Sequence, residues 1–333
     1  MADSMLGKFL DHLGLSRRTP VDIASAMAVR QKALTEISDE LLSVTASRIK
    51  SHPTELRRRF KGSLYDNDLA LNGYVAFERS GAPAFSIHIS NGLTHYFHQM
   101  SKLWASRVHL METPLSTGNP AGEITIEETV RLAESILSTY WSGGSPYAIE
   151  TISLLRFSED QTVFLCTLFY LQLYFVLAHE FGHVAHEYGG HAERTLTDSF
   201  IPIAERFFCE MYGRGATVDK ELVGRWAEEF AADVVGVHLC VNSPMAHLSG
   251  SYTDRGLLNI NMFWSAEMVL LMQDLLEKYY VKKKSQVPPL GNHPPSGTRS
   301  AVLTLVVGKT SHPDVLKSVE MYDQLKQDIL SKL

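Results

Sequence analysis

The sequence predicts a mainly α protein with a small β-sheet (α+β), on three observations. Long stretches free of Gly and Pro carry apolar residues at helical spacing. One stretch alternates with period two, Phe85, Ile87 and Ile89 against Ser86, His88 and Ser90, as a half-buried strand does. The 333 residues are 45% hydrophobic and 20% charged, which supplies a real core and excludes a disordered chain. A net charge of -6 gives no broad electrostatic grip on nucleic acid or anionic lipid, so no nucleic-acid partner is expected. The three cysteines, Cys166, Cys209 and Cys240, form no CxxC pair, which argues against a disulfide framework and a cysteine zinc site and fits a cytoplasmic location.

Along the chain, Thr19-Pro20 reads as an N-cap with proline at the first helical position, opening a helix over 21–50. Ser51-His52-Pro53 breaks it, and a short helix is predicted over Glu55 to Lys61, with Arg57-Arg58-Arg59 as a solvated end. The strand at 85–90 stops at Asn91-Gly92, a helix follows over 93–110, and 114–122 is a loop of turn formers. Thr125 and Glu128 make a capping box ahead of the apolar face Val130, Ala133, Ile136, Leu137 and Tyr140. Asp160 reads as the N-cap of a helix through Tyr188 that stops at Gly189-Gly190. Its run from Thr162 to Ala178 falls short of the ~18 apolar residues of a span and carries Gln172, so a buried core helix and no membrane span are expected. Further helices are predicted over 221–241, 257–280, 298–306 and 313–332, with Lys282-Lys283-Lys284 to Gly291 as a solvated connector. Residues 1–75 form an N-terminal helical region and 76–333 the main domain, with one continuous compact unit as the alternative. No export signal is visible at the N-terminus.

The chemistry centres on His179-Glu180-Phe181-Gly182-His183, an HExxH pattern in the second half of the longest apolar helix. Positions i and i+4 share a helix face, so His179 and His183 can aim two imidazoles at one Zn2+, while Glu180, about 100° around, can reach a water beside the ion. His186 stands where the metzincin pattern needs Gly, and Gly189 where it needs a third His. A better third ligand is Glu229, with Asp233 one turn on: the glutamate can take the metal while the aspartate accepts the distal N–H of a ligating histidine. The plainer reading of Glu229 is a solvated helix charge. Small residues at Ala178, Gly182 and Ala185, and at Ala227 and Ala231, would let the two helices approach closely.

HExxH followed by ExxxD resembles the gluzincin metallopeptidases. His293-Pro294-Pro295-Ser296-Gly297-Thr298-Arg299 looks like the HPPxxxR segment of the CaaX prenyl protease and heat-shock membrane protease group, from which the chain departs in lacking clear transmembrane helices. In size and mid-chain HExxH it is also similar to the soluble phage-exclusion peptidases of the Lit type.

The resemblance implies a zincin-like metallopeptidase fold over 76–333, with an active-site helix and a glutamate-bearing second zinc helix. It places Zn2+ on His179, His183 and Glu229, makes Glu180 general base and then acid, and sets Asp233 behind a ligand. His293 and Arg299 are candidates for partnering or supporting the developing oxyanion; equally, His293-Pro294-Pro295 punctuates a helix start and Arg299 pairs with a structural carboxylate. The strand at 85–90 is read either as the edge strand along which zincins bind an extended peptide or as a sheet strand of no catalytic consequence. The implied function is a zinc endopeptidase acting on a cytosolic protein, with an activating partner left open. The alternatives are a non-catalytic zinc-stabilised regulatory protein, whose closed site recruits His186 or His191, and a zinc hydrolase of a non-protein substrate.

Overall fold

The computed structural model describes residues 23–66, 71–106, 125–141, 159–213, 217–243, 255–284, 293–307 and 313–332. Among them the elements run α1 (Ile23–Arg48), α2 (Pro53–Arg59), β1 (Phe60–Asp66), β2 (Gly73–Glu78), β3 (Ala84–Ser90), α3 (Asn91–Ala105), α4 (Ile126–Trp141) and α5 (Glu159–Tyr188). They continue with α6 (His191–Tyr212), α7 (Lys220–Asn242), α8 (Arg255–Lys284), α9 (Ser296–Val307) and α10 (Pro313–Lys332). The protein is therefore mainly helical with a small three-stranded mixed sheet. The Thr19-Pro20 cap, the 114–122 loop and the end of the connector at Gly291 lie outside the described residues.

The axis of the fold is α5, against which α1, α3, α7 and α8 all pack. From Leu171 to Gly182 every residue of it is buried, which suits a helix with apolar residues on all sides. Gln172 is fully buried within it and satisfied: Ser101 Oγ donates to its Oε1 at 3.0 Å, and its Nε2 donates to Met272 Sδ at 3.5 Å. No helix among the described residues is long and apolar enough to cross a membrane. Leu34 and Ile37 of α1, Phe85, Ile87 and Ile89 of β3 and Leu275 of α8 share one hydrophobic cluster with α5. The capping box of α4 forms as its residues predict, with Thr125 N donating to Glu128 Oε2 at 2.9 Å and Glu128 N to Thr125 Oγ1 at 3.1 Å.

Several expectations are corrected. The strand at 85–90 is the centre of the sheet, whose order is β1-β3-β2, with β1 parallel and β2 antiparallel to it. Its amides are engaged on both sides, so it cannot be an edge strand for a peptide. The second helix ends at Arg59, and Lys61 belongs to β1. That strand was hidden because a bulge between Phe60 and Gly62 breaks its alternation, while Phe60 is held by the rings of Phe85 and Phe181 at 5.3 and 5.8 Å. Asp160 does not precede α5, which has already begun at Glu159.

An unpredicted helix, α6, follows Gly190 despite Pro202 in its interior. Its Phe200, Ala204 and Phe208 form a second cluster with Val223, Trp226, Ala227, Phe230 and Ala231 of α7. Ala227 and Ala231 thus serve α6, not the approach to α5. Gly182 does meet α7, but opposite Ala232, where an added Cβ would stand 2.7 Å from the Ala232 carbonyl oxygen. Gly236 repeats the contact one turn on, its absent Cβ 3.0 Å from the His179 amide nitrogen. Lys282 to Lys284 are the last residues of α8, where Lys283 pairs with Glu134 at 3.0 Å.

Candidate metal centre

The glycine contacts between α5 and α7 set the distance across which the site closes. From α5, His179 and His183 bring their Nε2 atoms to 3.3 Å from each other. From α7, Glu229 places Oε2 3.4 Å from His179 Nε2 and Oε1 3.4 Å from His183 Nε2. One donor atom from each of these three residues lies within 4.8 Å of the others, so the group can hold a metal ion. Glu229 is buried, not the solvated charge of the plainer reading.

The donor set fits a cation on two counts. Glu229 Oε2 is buried and has ion-pair contacts but no well-aligned hydrogen bond, an acceptor that a cation would satisfy. Two nitrogens and a carboxylate oxygen are also a donor set that zinc accepts.

Behind the group, His179 Nδ1 donates to Asp233 Oδ1 at 2.9 Å, which leaves Nε2 as the nitrogen free for a metal. Asp233 in turn receives Arg299 through Nη2 at 2.6 Å and Nε at 2.8 Å, a two-pronged pair of a kind suited to buried carboxylates. Burial works against each charge here and is outweighed. Burial would raise Asp233, but the Arg299 guanidinium holds it below the usual range. Burial would raise Glu229 too, and the imidazoles of His179, His183 and His293 hold it well below. Burial would lower His179, yet the carboxylates of Asp233 and Glu229 lift it to about 10 in the metal-free chain. Glu180 differs: burial raises it, and the neighbouring imidazoles only partly oppose that.

The remaining predicted residues divide. His293 is exposed and brings Nδ1 to 3.1 Å from Glu229 Oε2; Arg299 is buried, with Nη1 3.6 Å from the same atom. His186 turns away, its Nδ1 3.0 Å from Thr197 Oγ1 and its Nε2 3.9 Å from Glu228, and His191 opens α6 at the surface. Neither joins the group. A cavity of about 260 Å3 opens beside His179 and Glu180, walled by Leu93, Phe175, Val176, Val269 and Leu276. Gly73 of β2 forms part of its rim, and a Cβ there would stand 3.2 Å from Glu180 Oε1.

One other cluster has the look of chemistry. On the outer face of the sheet Ser86 Oγ is 2.9 Å from His88 Nε2, and His88 Nδ1 is 3.0 Å from Asp66 Oδ1. Since β3 is paired on both sides, its amides are spent in the ladders and cannot hold an oxyanion beside Ser86, so the chain of bonds ties β1 to β3.

Comparison of the chain with family models, with curated proteins and with solved structures returns no match. What is established is a His179, His183 and Glu229 group on two helices, α5 and α7, with His179 and Glu229 buried and His183 partly so, of a kind able to bind a metal.

Proposed function

We propose that the chain is a zinc-dependent peptidase of zincin type, an endopeptidase acting on protein or peptide. The observation that carries this reading is the placement of Glu180, a buried carboxyl held at the mouth of a cavity, beside a His-His-Glu group. Zinc on His179, His183 and Glu229 would supply Lewis-acid polarisation of a carbonyl and make a nearby water more acidic.

The chain's own residues do the rest. Glu180 takes a proton from the attacking water and returns it to the leaving amine, a role suited to a carboxyl whose affinity for protons burial has raised. Asp233 and Arg299 hold the His179 ring. Arg299 has its shortest bonds on Asp233, so it supports the site, and the exposed imidazole of His293 is the better donor to a developing oxyanion. The substrate backbone lies along β2, whose outer edge has no partner strand among the described residues and which begins at Gly73, next to Glu180. The free thiols Cys209 and Cys240 support a reducing, cytoplasmic setting.

Metal analysis of the purified chain should find one zinc per molecule. Glu180→Gln should keep that zinc and lose hydrolysis of a denatured protein by about 10³-fold or more; a fully active Glu180→Gln protein overturns the assignment.

A further inference from the structure

We propose that Glu277 of α8 is the positioning residue that fixes His293 over the metal group, an inference that rests on the peptidase reading. Glu277 accepts three bonds from one residue: Ser296 N lies 3.2 and 3.0 Å from its two oxygens, and Ser296 Oγ 2.6 Å from Oε1. The next residue, Gly297, is pressed against the same helix, where an added Cβ would stand 2.7 Å from Asp274 Oδ1. Asp274 is itself anchored by Lys278 at 2.7 Å and Lys326 of α10 at 3.4 Å.

Between this anchor and His293 stand only Pro294 and Pro295, whose rings fix φ and leave few free torsions. The anchor at Ser296 therefore restricts where the backbone of His293 can stand, and with it the reach of the ring towards Glu229. That ring has no comparable hold of its own, with 55% of its side chain exposed and Glu229 as its ion-pair partner. Arg299, by contrast, is held by Asp233 whatever Glu277 does.

Another buried carboxylate on α8 provides the comparison. Glu267 accepts Ser300 Oγ at 2.6 Å and Thr304 Oγ1 at 2.7 Å, holding α9 to α8 beyond Arg299. If grip on α9 were all that mattered, losing either carboxylate would have the same effect on catalysis.

The test measures zinc content, thermal stability, kcat and KM on the full chain. Glu277→Ala should keep its zinc and lose about 30- to 100-fold in kcat with KM within about twofold, the scale expected of a displacement near 1 Å. Glu277→Gln, which retains an acceptor for Ser296, should recover to within about threefold. Combining Glu277→Ala with His293→Ala should be no worse than the greater single loss. Glu267→Ala should lose thermal stability and keep kcat within about twofold. Equal kcat losses at Glu277 and Glu267, or additive losses at Glu277 and His293, overturn the proposal. Should the zinc-loaded chain cleave no peptide, the peptidase reading fails by itself. Positioning is then read from calorimetric binding of a peptidyl phosphonate, which His293→Ala and Glu277→Ala should weaken equally and without additivity; unchanged binding by Glu277→Ala overturns it.

Discussion

The two sides of Glu229 are built on opposite plans. On one stand His179, Asp233 and Arg299, all under a tenth exposed and linked by hydrogen bonds of 2.6 to 2.9 Å. On the other stand His183, with 22% of its side chain exposed, and His293, with 55%. The buried side has charges that neutralise one another and no room to move, which suits the task of fixing a ligand's tautomer. The open side gives up that rigidity for access, and His293 borrows its placement from a distant carboxylate.

The largest expected effect removes the comparison by separating the helices on which both sides depend. Gly182→Leu must drive a side chain into the Ala232 backbone, already 2.7 Å from where a Cβ would be, and nothing there is flexible enough to give. The protein should fail to fold or fold without metal. Gly182→Ala, the mildest form of the change, should cost about 2–3 kcal/mol, read as a lowered thermal midpoint together with substoichiometric zinc.

Next in size is a contrast between the sides. Asp233→Ala takes both carboxylate hydrogen bonds from the buried Arg299 and leaves it only the 3.6 Å ion-pair contact with Glu229, for which a loss of about 3–5 kcal/mol is expected. It also frees the His179 ring, so chelator competition should show zinc held about 10- to 100-fold more weakly. His293→Ala should leave both stability and zinc affinity nearly unchanged and reduce turnover alone. If the two variants behave alike in denaturation, the distinction between a locked and an open side is wrong.

These residues were unequally legible in the sequence. The spacing of His179, Glu180 and His183 is local, set by one helix, and needs no tertiary information to read. Glu229 and Asp233 could be suspected because they too share a helix face. The crossing itself was half legible: small residues were identified on both helices, but Ala227 and Ala231 are matched to Phe200 and Phe208 of α6, a helix that Pro202 concealed. The choice between an edge strand and a plain sheet strand at β3 was not legible, because alternation reports that one face is buried and says nothing of how many neighbours a strand has. Glu277 carried no signal at all, since its partner Ser296 lies 19 residues away across the connector.

A smaller effect sharpens the comparison through pH. In the metal-free chain His179 is raised to about 10, so between that pH and neutrality an incoming ion must displace its proton. The affinity for zinc should therefore fall about tenfold for each pH unit of acidification from this group alone. Asp233→Asn removes one of the carboxylates that raise His179, and the sloping region should start at a lower pH. Titrating zinc affinity from pH 6 to 9 in both proteins checks it; parallel curves mean that Asp233 does not set the protonation of the ring.

The smallest effect lies outside the metal group and tests whether α9 is charged with holding the arm or merely packed. Burial raises Glu267, and the hydroxyls of Ser300 and Thr304 oppose that only in part. The folded state therefore binds a proton here more tightly than the unfolded chain does. The stability contributed by Glu267 is fully present below the ordinary glutamate value of ~4.3 and is lost as pH rises through its raised value in the fold. Glu267→Gln carries no charge to desolvate and has no such loss. Its urea midpoint should match or fall below wild type at pH 4 and exceed it at pH 8, by the ~0.5–1.5 kcal/mol of an ordinary hydrogen-bonding group. A Gln variant weaker at both pH values would mean that the two hydroxyls need the full charge, and that this part of α9 is held electrostatically as firmly as its Ser296 end.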